Sequence, residues 1–158
     1  MRRILTAMTA ASVFLSANPL VGEAQATVNP PARRDSILAA VRAYVDASNR
    51  ADVQAIIDSY SKSANVSTAG LGEIRRGWEA IRAQADSIAG QEGLMHFSLG
   101  AIDVTSLGSG YALVVSSVVV RITTEQGVAQ VRGALTVVLE RVGGAWRVLH
   151  DHVSLPLE

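Results

Sequence analysis

The sequence lacks cysteine altogether, contains Lys62 as its only lysine, and is poor in aromatic residues, which make up 4% of the chain. Without cysteine, the protein can form neither a disulfide nor a lipid-modified cysteine anchor. A protein of this size must then be stabilised by its hydrophobic core alone. The sequence also lacks a Ser-His-Asp order, a glycine-rich phosphate loop and any apolar run of the roughly 20 residues that a membrane span needs.

The first 26 residues have the features of a secretory signal peptide. Arg2 and Arg3 precede a mostly apolar stretch over Ile4–Leu15, and Asn18-Pro19 follows it as a break. Ala24-Gln25-Ala26 fits the small-x-small cleavage pattern. We therefore expect export to a periplasm or out of the cell, without a membrane anchor.

Residues 27–158 are long enough for one domain, and we expect 27–31 to be an extended leader and 32–158 to be that domain. Losing Arg2, Arg3 and Glu23 with the peptide leaves 12 basic and 13 acidic residues. A net charge this close to zero gives no reason to expect a nucleic acid or an anionic membrane as partner.

Hydrophobic periodicity predicts three helices in the first half of this domain. Ala32–Arg50 carries Ile37, Val41, Tyr44, Val45 and Ser48 on one face. Asp52 is a suitable N-cap for a second helix that runs through Tyr60. A short strand at 64–68 and an extended piece ending at Gly77 precede a third helix over Trp78–Ala89.

The second half reads as four long strands, at 94–106, 111–124, 128–141 and 145–153, separated by glycine-containing turns. Successive hairpins make an antiparallel meander. Strands this long must bend, and Gly100 and Gly133 are suitable bend or bulge positions. The predicted fold is α+β, with a bent sheet wrapped around helices and enclosing a conical cavity.

The last strand carries the side chains that are the clearest candidates for catalysis or metal binding. Strict alternation places His150 and His152 on one face together with Trp146 and Val148. The histidines suggest either a metal or acid/base pair or, more simply, a face that packs on a partner. The only other histidine, His96, lies on a different strand, so neither a metal nor a cofactor is predicted.

Asp151 points to the opposite face, with Leu149 and Val153 as neighbours. Burial among apolar residues would raise its pKa and suit it to general acid or base catalysis. Solvent exposure or pairing with an arginine are the alternatives. Tyr44 on the core side of the first helix needs a partner for its hydroxyl, and Trp78 is expected in the core or in a pocket wall.

Three segments, Ala43–Asp52, Arg75–Ile81 and Trp146–Ser154, resemble the nuclear transport factor 2-like superfamily, and within it the SnoaL-like and ketosteroid-isomerase-like proteins. The last segment is also similar to the association domain of calmodulin-dependent kinase II. The resemblance implies three N-terminal helices packed in a strongly curved antiparallel sheet. It also implies a homodimer that forms through the convex face.

Alignment with ketosteroid isomerases tests the activity that this resemblance implies. Their oxyanion-hole tyrosine falls on Tyr44, but their general base falls on Thr68 and their protonated aspartate on Thr136. Their supporting tyrosine falls on Ala85. Steroid isomerisation by that mechanism is therefore not expected.

The same alignment assigns candidate sites. The pocket is expected to be lined by Tyr44, Thr68, Trp78, Thr136, Leu149, Asp151 and Val153. The dimer face is expected to contain Trp146, His150 and His152.

Three functions remain compatible with these residues. The first is an exported protein that binds a small apolar molecule and has no catalytic activity. The second is an isomerase, cyclase or dehydratase that uses Asp151 as base and Tyr44 as hydrogen-bond donor. The third is a dimerising, partner-binding module without a ligand.

Overall fold

The computed structural model describes residues 30–70 and 72–156, so the expected signal peptide and the start of the leader lie outside the described residues. The elements are three helices and six strands: α1 Pro31–Asn49, α2 Val53–Ser59, β1 Ser67–Gly70, β2 Glu73–Arg76, α3 Trp78–Ser87, β3 Met95–Leu107, β4 Tyr111–Thr124, β5 Gly127–Val142 and β6 Ala145–Ser154.

The helices follow the predicted apolar faces. Ile37, Val41 and Val45 of α1 are buried, as the periodicity predicted. The helix begins at Pro31, one residue before the predicted start, because proline is well suited to the first helical turn. Asp52 caps α2 by accepting a hydrogen bond from the backbone of Ala55 at 3.1 Å, which confirms the predicted cap. Within the described residues, no helix is both long and apolar enough to cross a bilayer.

The six strands form one curved sheet in the order β2-β1-β6-β5-β4-β3. The predicted meander is confirmed, since β3, β4, β5 and β6 pair antiparallel in sequence order. The first short strand is Ser67–Gly70, a little later than predicted, and it pairs parallel to β6. The helices cover one face of the sheet, the inner face, and its other face is the outer face.

Both predicted irregular glycines have a structural role. Register shifts between Leu99 and Ile102, so β3 contains a bulge at Gly100. Gly133 keeps regular pairing, and an added Cβ would overlap the backbone carbonyl of Ser154 and the side chain of Leu155. Glycine at this position lets the end of β6 pass close over β5.

A second bulge corrects the predicted faces of the last strand. Val138 pairs with His150 but Leu139 pairs with Val148, so Leu149 is an extra residue in β6. An extra residue reverses the alternation of faces on one side of the bulge. Trp146 therefore lies in the core at 6% exposure and not on the outer face. The prediction that it belongs to a dimer face is wrong.

Asn49, the last residue of α1, closes part of the open edge of β3. Its amide nitrogen donates to the Phe97 carbonyl at 3.0 Å, and its amide oxygen accepts from the Phe97 backbone N–H at 2.7 Å. The side chain thus replaces one residue of a neighbouring strand. It fixes the end of α1 to the strand that carries Phe97.

We predict that Asn49→Ala lowers the free energy of unfolding by about 1–3 kcal/mol, because two backbone groups of Phe97 lose their partner. Urea denaturation measures this change. Asn65→Ala is the matched control, since Asn65 is exposed. Equal stability of the two variants would contradict the proposed role of Asn49.

Candidate functional site

The carboxylate of Asp151 is the centre of the candidate site. The residue is only 3% exposed, and three hydroxyl groups donate to it. Tyr60 donates to Oδ1 at 2.7 Å, whereas Thr68 and Tyr44 donate to Oδ2 at 3.1 and 3.2 Å. These donors come from the end of α2, from β1 and from α1, so the carboxylate joins three elements to β6. A buried carboxylate is tolerable because its oxygens are hydrogen-bonded.

Tyr44 and Tyr60 also contact each other. Their hydroxyl oxygens lie 3.0 Å apart, and their rings meet edge to face with centroids separated by 5.4 Å. Edge-to-face contact is a favoured arrangement of two aromatic rings. Together with Asp151 the two hydroxyls form a closed triangle of oxygen atoms in hydrogen-bonding contact.

Burial shifts the pKa of each acidic group in this triangle upward. Loss of solvation raises the pKa of Asp151 above its ordinary value of 3.8, although the hydrogen bonds from Tyr60, Thr68 and Tyr44 oppose the shift. Loss of solvation also raises the pKa of Tyr44 and of Tyr60 well above 10.0, and the neighbouring Asp151 charge adds to it. Both tyrosines therefore remain neutral hydrogen-bond donors at physiological pH.

A small cavity adjoins the triangle on the side of Tyr44. It has a volume of about 50 Å³ and is lined by Tyr44, Val45, Ser48, Phe97, Leu135 and Val153. This volume accepts about three water molecules. Tyr44 faces both the cavity and the carboxylate, whereas Asp151 and Tyr60 lie behind it. Tyr44 is therefore the residue that connects the cavity with Asp151.

Four of the expected pocket residues occupy positions that support this site or its cavity. Tyr44 and Val153 line the cavity, and Thr68 and Asp151 form the hydrogen-bonded cluster behind it. The sequence alignment correctly brought Tyr44, Thr68 and Asp151 together.

The remaining pocket predictions are corrected by the register of the sheet. Thr136 pairs with His152, so its side chain lies on the outer face, and Val137 is the residue opposite Asp151. Leu149 is the bulge residue and does not line the cavity. Trp78 packs half-buried against the core, with the Lys62 ammonium 5.6 Å from its ring centroid. It does not line the cavity either.

Tyr60 is the functional residue that sequence reasoning missed. The apolar positions Val53, Ile56 and Ile57 of α2 continue to Tyr60 with i, i+3, i+4 and i+7 spacing. That spacing places the tyrosine on the buried face of the helix, where its hydroxyl needs a partner. The alignment instead suggested that a supporting tyrosine is absent, because its counterpart fell on Ala85.

The two adjacent histidines lie on the outer face, as predicted. His150 Nδ1 is 2.9 Å from the hydroxyl of Ser67, and His152 is exposed. In the described part of the chain, no group of three histidine, aspartate or glutamate residues is arranged to hold a metal ion.

Comparison with protein families identifies the family of this chain. The SnoaL-like domain family matches residues 37–158, which include most of α1, the other two helices, the sheet and the Asp151 cluster. The chain belongs to the SnoaL-like domain family. No curated protein matches the sequence significantly.

Solved structures share the SnoaL-like fold of this chain at low sequence identity. A candidate dehydratase of the NTF2-like family from Streptomyces avermitilis is 17% identical, with a TM-score of 0.71 over 82% of this chain and 100% of its own. A candidate aromatic ring hydroxylase from Novosphingobium aromaticivorans is 18% identical, with a TM-score of 0.71 over 83% and 94%. An NTF2-like protein of unknown function from Shewanella oneidensis is 23% identical, with a TM-score of 0.61 over 77% and 98%.

Because burial raises the pKa of Asp151, its carboxyl group keeps its proton to a higher pH in the folded protein than in the unfolded chain. As pH rises from about 4 through the raised pKa, the unfolded state loses its proton first. The free energy of unfolding of the wild type should therefore fall relative to Asp151→Asn, by at most about 1.4 kcal/mol per pH unit.

Urea denaturation of both proteins at several pH values measures this difference. Asp103→Asn is the control, since Asp103 is exposed on β3. A wild-type stability that stays level or rises relative to Asp151→Asn over this range would contradict the raised pKa.

Proposed function

We propose that this SnoaL-like domain binds a small, mostly apolar molecule through one hydrogen-bonding oxygen that the molecule places beside Tyr44. The observation that carries the proposal is Tyr44, which lines an apolar cavity while its hydroxyl is held by Asp151 and Tyr60. A binding site with apolar walls and few oriented polar groups is typical for small molecules.

The cavity limits what can enter. Its volume of about 50 Å³ is far below the 300–1,000 Å³ of typical ligand sites. A space of this size accepts the oxygen-bearing end of a ligand, and the rest of the molecule would lie toward Phe97 and Val153. Small ketones and alcohols fit this description better than a rigid polycyclic molecule does.

Ligand-observed NMR with a series of small apolar ketones and alcohols tests the binding proposal. Tyr44→Phe should weaken binding by about 1 kcal/mol, roughly fivefold in Kd, because one hydrogen bond to the ligand is lost. Tyr111→Phe is the matched control, since Tyr111 is 46% exposed on β4. Failure of the whole series to bind, or equal affinity of both variants, would contradict the proposal.

An acid–base enzyme is the second candidate, and the closed triangle of Tyr44, Tyr60 and Asp151 supports it. When Asp151 is protonated on Oδ2, that proton can be donated to Tyr44, the Tyr44 proton to Tyr60, and the Tyr60 proton to Oδ1. A substrate oxygen can then take the Tyr44 proton while Asp151 replaces it and becomes a carboxylate. Dehydration, the activity suggested for one solved neighbour, requires such a proton for the departing hydroxyl.

The same ligands separate the two candidates. Wild-type protein that converts a bound ligand to product supports the enzyme, and both Tyr44→Phe and Asp151→Asn should then lose at least about a hundredfold in turnover. If every ligand that binds is recovered unchanged, the domain is a binding protein. Turnover that survives in Asp151→Asn would rule out the proton path through this carboxylate.

We also propose that the protein is exported. The support is the basic start, apolar stretch and Ala24-Gln25-Ala26 cleavage pattern of the first 26 residues. Protein purified from its host should begin at Thr27, and an amino terminus at Met1 would contradict export by this route.

We also propose that the protein forms a homodimer through the outer face of β4–β6. This face combines the exposed Val115, at 40%, with Leu113, Val138 and the two histidines of β6. Apolar residues in the centre of an exposed sheet face are typical of interfaces. The third function, a partner-binding module without a ligand, would use the same surface.

Val115→Asp should convert the dimer to a monomer in sedimentation velocity, because a carboxylate would be buried without a partner. Ile74→Asp is the control, since Ile74 is 57% exposed on β2, at the other end of the sheet. Wild-type protein that sediments as a monomer would contradict the proposal.

A further inference from the structure

A second and larger concavity lies on the outer face, far from Asp151. This outer groove has a volume of about 400 Å³ and is lined by His96, Ser98, Val119, Arg121 and Gln130. The register explains why these residues meet. His96, Arg121 and Gln130 lie side by side on β3, β4 and β5, and Ser98 and Val119 form the next row.

The polar groups of the outer groove have no partners of their own in the described chain. The ion pairs among the described residues are Arg50–Asp52 and Arg75–Glu73, so Arg121 takes part in no ion pair. Neither Arg121, Gln130 nor His96 makes a side-chain hydrogen bond with another described residue. A guanidinium, a carboxamide and an imidazole thus line one space, and no described side chain occupies their hydrogen-bonding groups.

Two guanidinium groups lie at the outer groove. Arg132 pairs with Val119 and is exposed on the outer face, so it adds a second guanidinium at the edge of the groove. The exposed Glu125, in the turn after β4, is four residues from Arg121, whereas Asp103 and Glu140 pair with Val115 and Tyr111. These positions are six and ten residues along β4 from Arg121, or about 20 and 33 Å. Such separations exceed the screening length at physiological ionic strength.

The groove lies beside the residues proposed for dimer contact, on the same face of β4 and β5. Pairing between β5 and β6 ends at Ala134 with Ser154, and Gln130 lies four residues beyond that point on β5. The β3–β5 part of the sheet therefore extends past β6, and the groove lies on this extension.

We propose that the outer groove binds a small organic molecule that carries an oxyanion. The fork of Arg121 matches the two oxygens of a carboxylate or the oxygens of a phosphate. Gln130 and Ser98 can donate further hydrogen bonds, and Val119 supplies an apolar floor for the organic part. This site is independent of the cavity at Tyr44.

Benzoate and phenyl phosphate are suitable probes, with benzamide as the neutral counterpart of benzoate. Titration followed by protein NMR should show binding of at least one anion at about 10 mM, enough to detect a millimolar Kd, and weaker binding of benzamide. Arg121→Gln should reduce the affinity about tenfold, since a hydrogen bond to a charged group is lost. Comparing the two anions distinguishes a carboxylate site from a phosphate site.

Arg42→Gln is the matched control, because Arg42 is exposed on α1 and its loss removes the same charge. Unchanged affinity in Arg42→Gln together with the loss in Arg121→Gln supports the groove. An equal loss of affinity in both variants would mean that the anion is attracted by positive charge in general and not by the groove, and this result would overturn the proposal. Absence of binding by either anion would overturn it as well, as would equal binding of benzamide and benzoate.

Discussion

The buried carboxylate of Asp151 is the interaction on which the rest of the structure depends. Three hydroxyl groups from Tyr44, Tyr60 and Thr68 surround it, and each comes from a different element. Helices α1 and α2 are thereby oriented against β1 and β6 by directional contacts as well as by apolar packing. Because a buried carboxylate without partners is costly, the arrangement favours one relative position of these elements.

The local shape of β6 decides whether this contact can form. The bulge at Leu149 allows Trp146 and Val148 to lie in the core while Asp151, an odd number of residues later, also points inward. A regular strand would turn either the tryptophan or the carboxylate outward. One additional residue thus combines the core and the site on a single strand face, and it leaves His150 and His152 outside.

Much of this organisation could be predicted from sequence. Helical periodicity found the buried face of α1, and the glycine turns located the long hairpins. The bulge could not be predicted, because alternation alone carries no signal for an inserted residue, and the assignments of Trp146 and Leu149 failed for that reason. Thr136 was placed in the pocket by the alignment with ketosteroid isomerases, whereas its pairing with His152 puts it on the outer face. Tyr60 had a readable signal in the spacing of α2, but its contact with Asp151 depends on pairing between distant parts of the chain.

Carbon-13 NMR titration of the Asp151 carboxyl group tests the central claim most directly. The account predicts a pKa above the ordinary 3.8, because the cost of desolvation exceeds the effect of three hydrogen bonds. It also predicts a further rise in Tyr44→Phe, which removes one donor from the carboxylate. A pKa at or below 3.8 that does not respond to Tyr44→Phe would contradict the account.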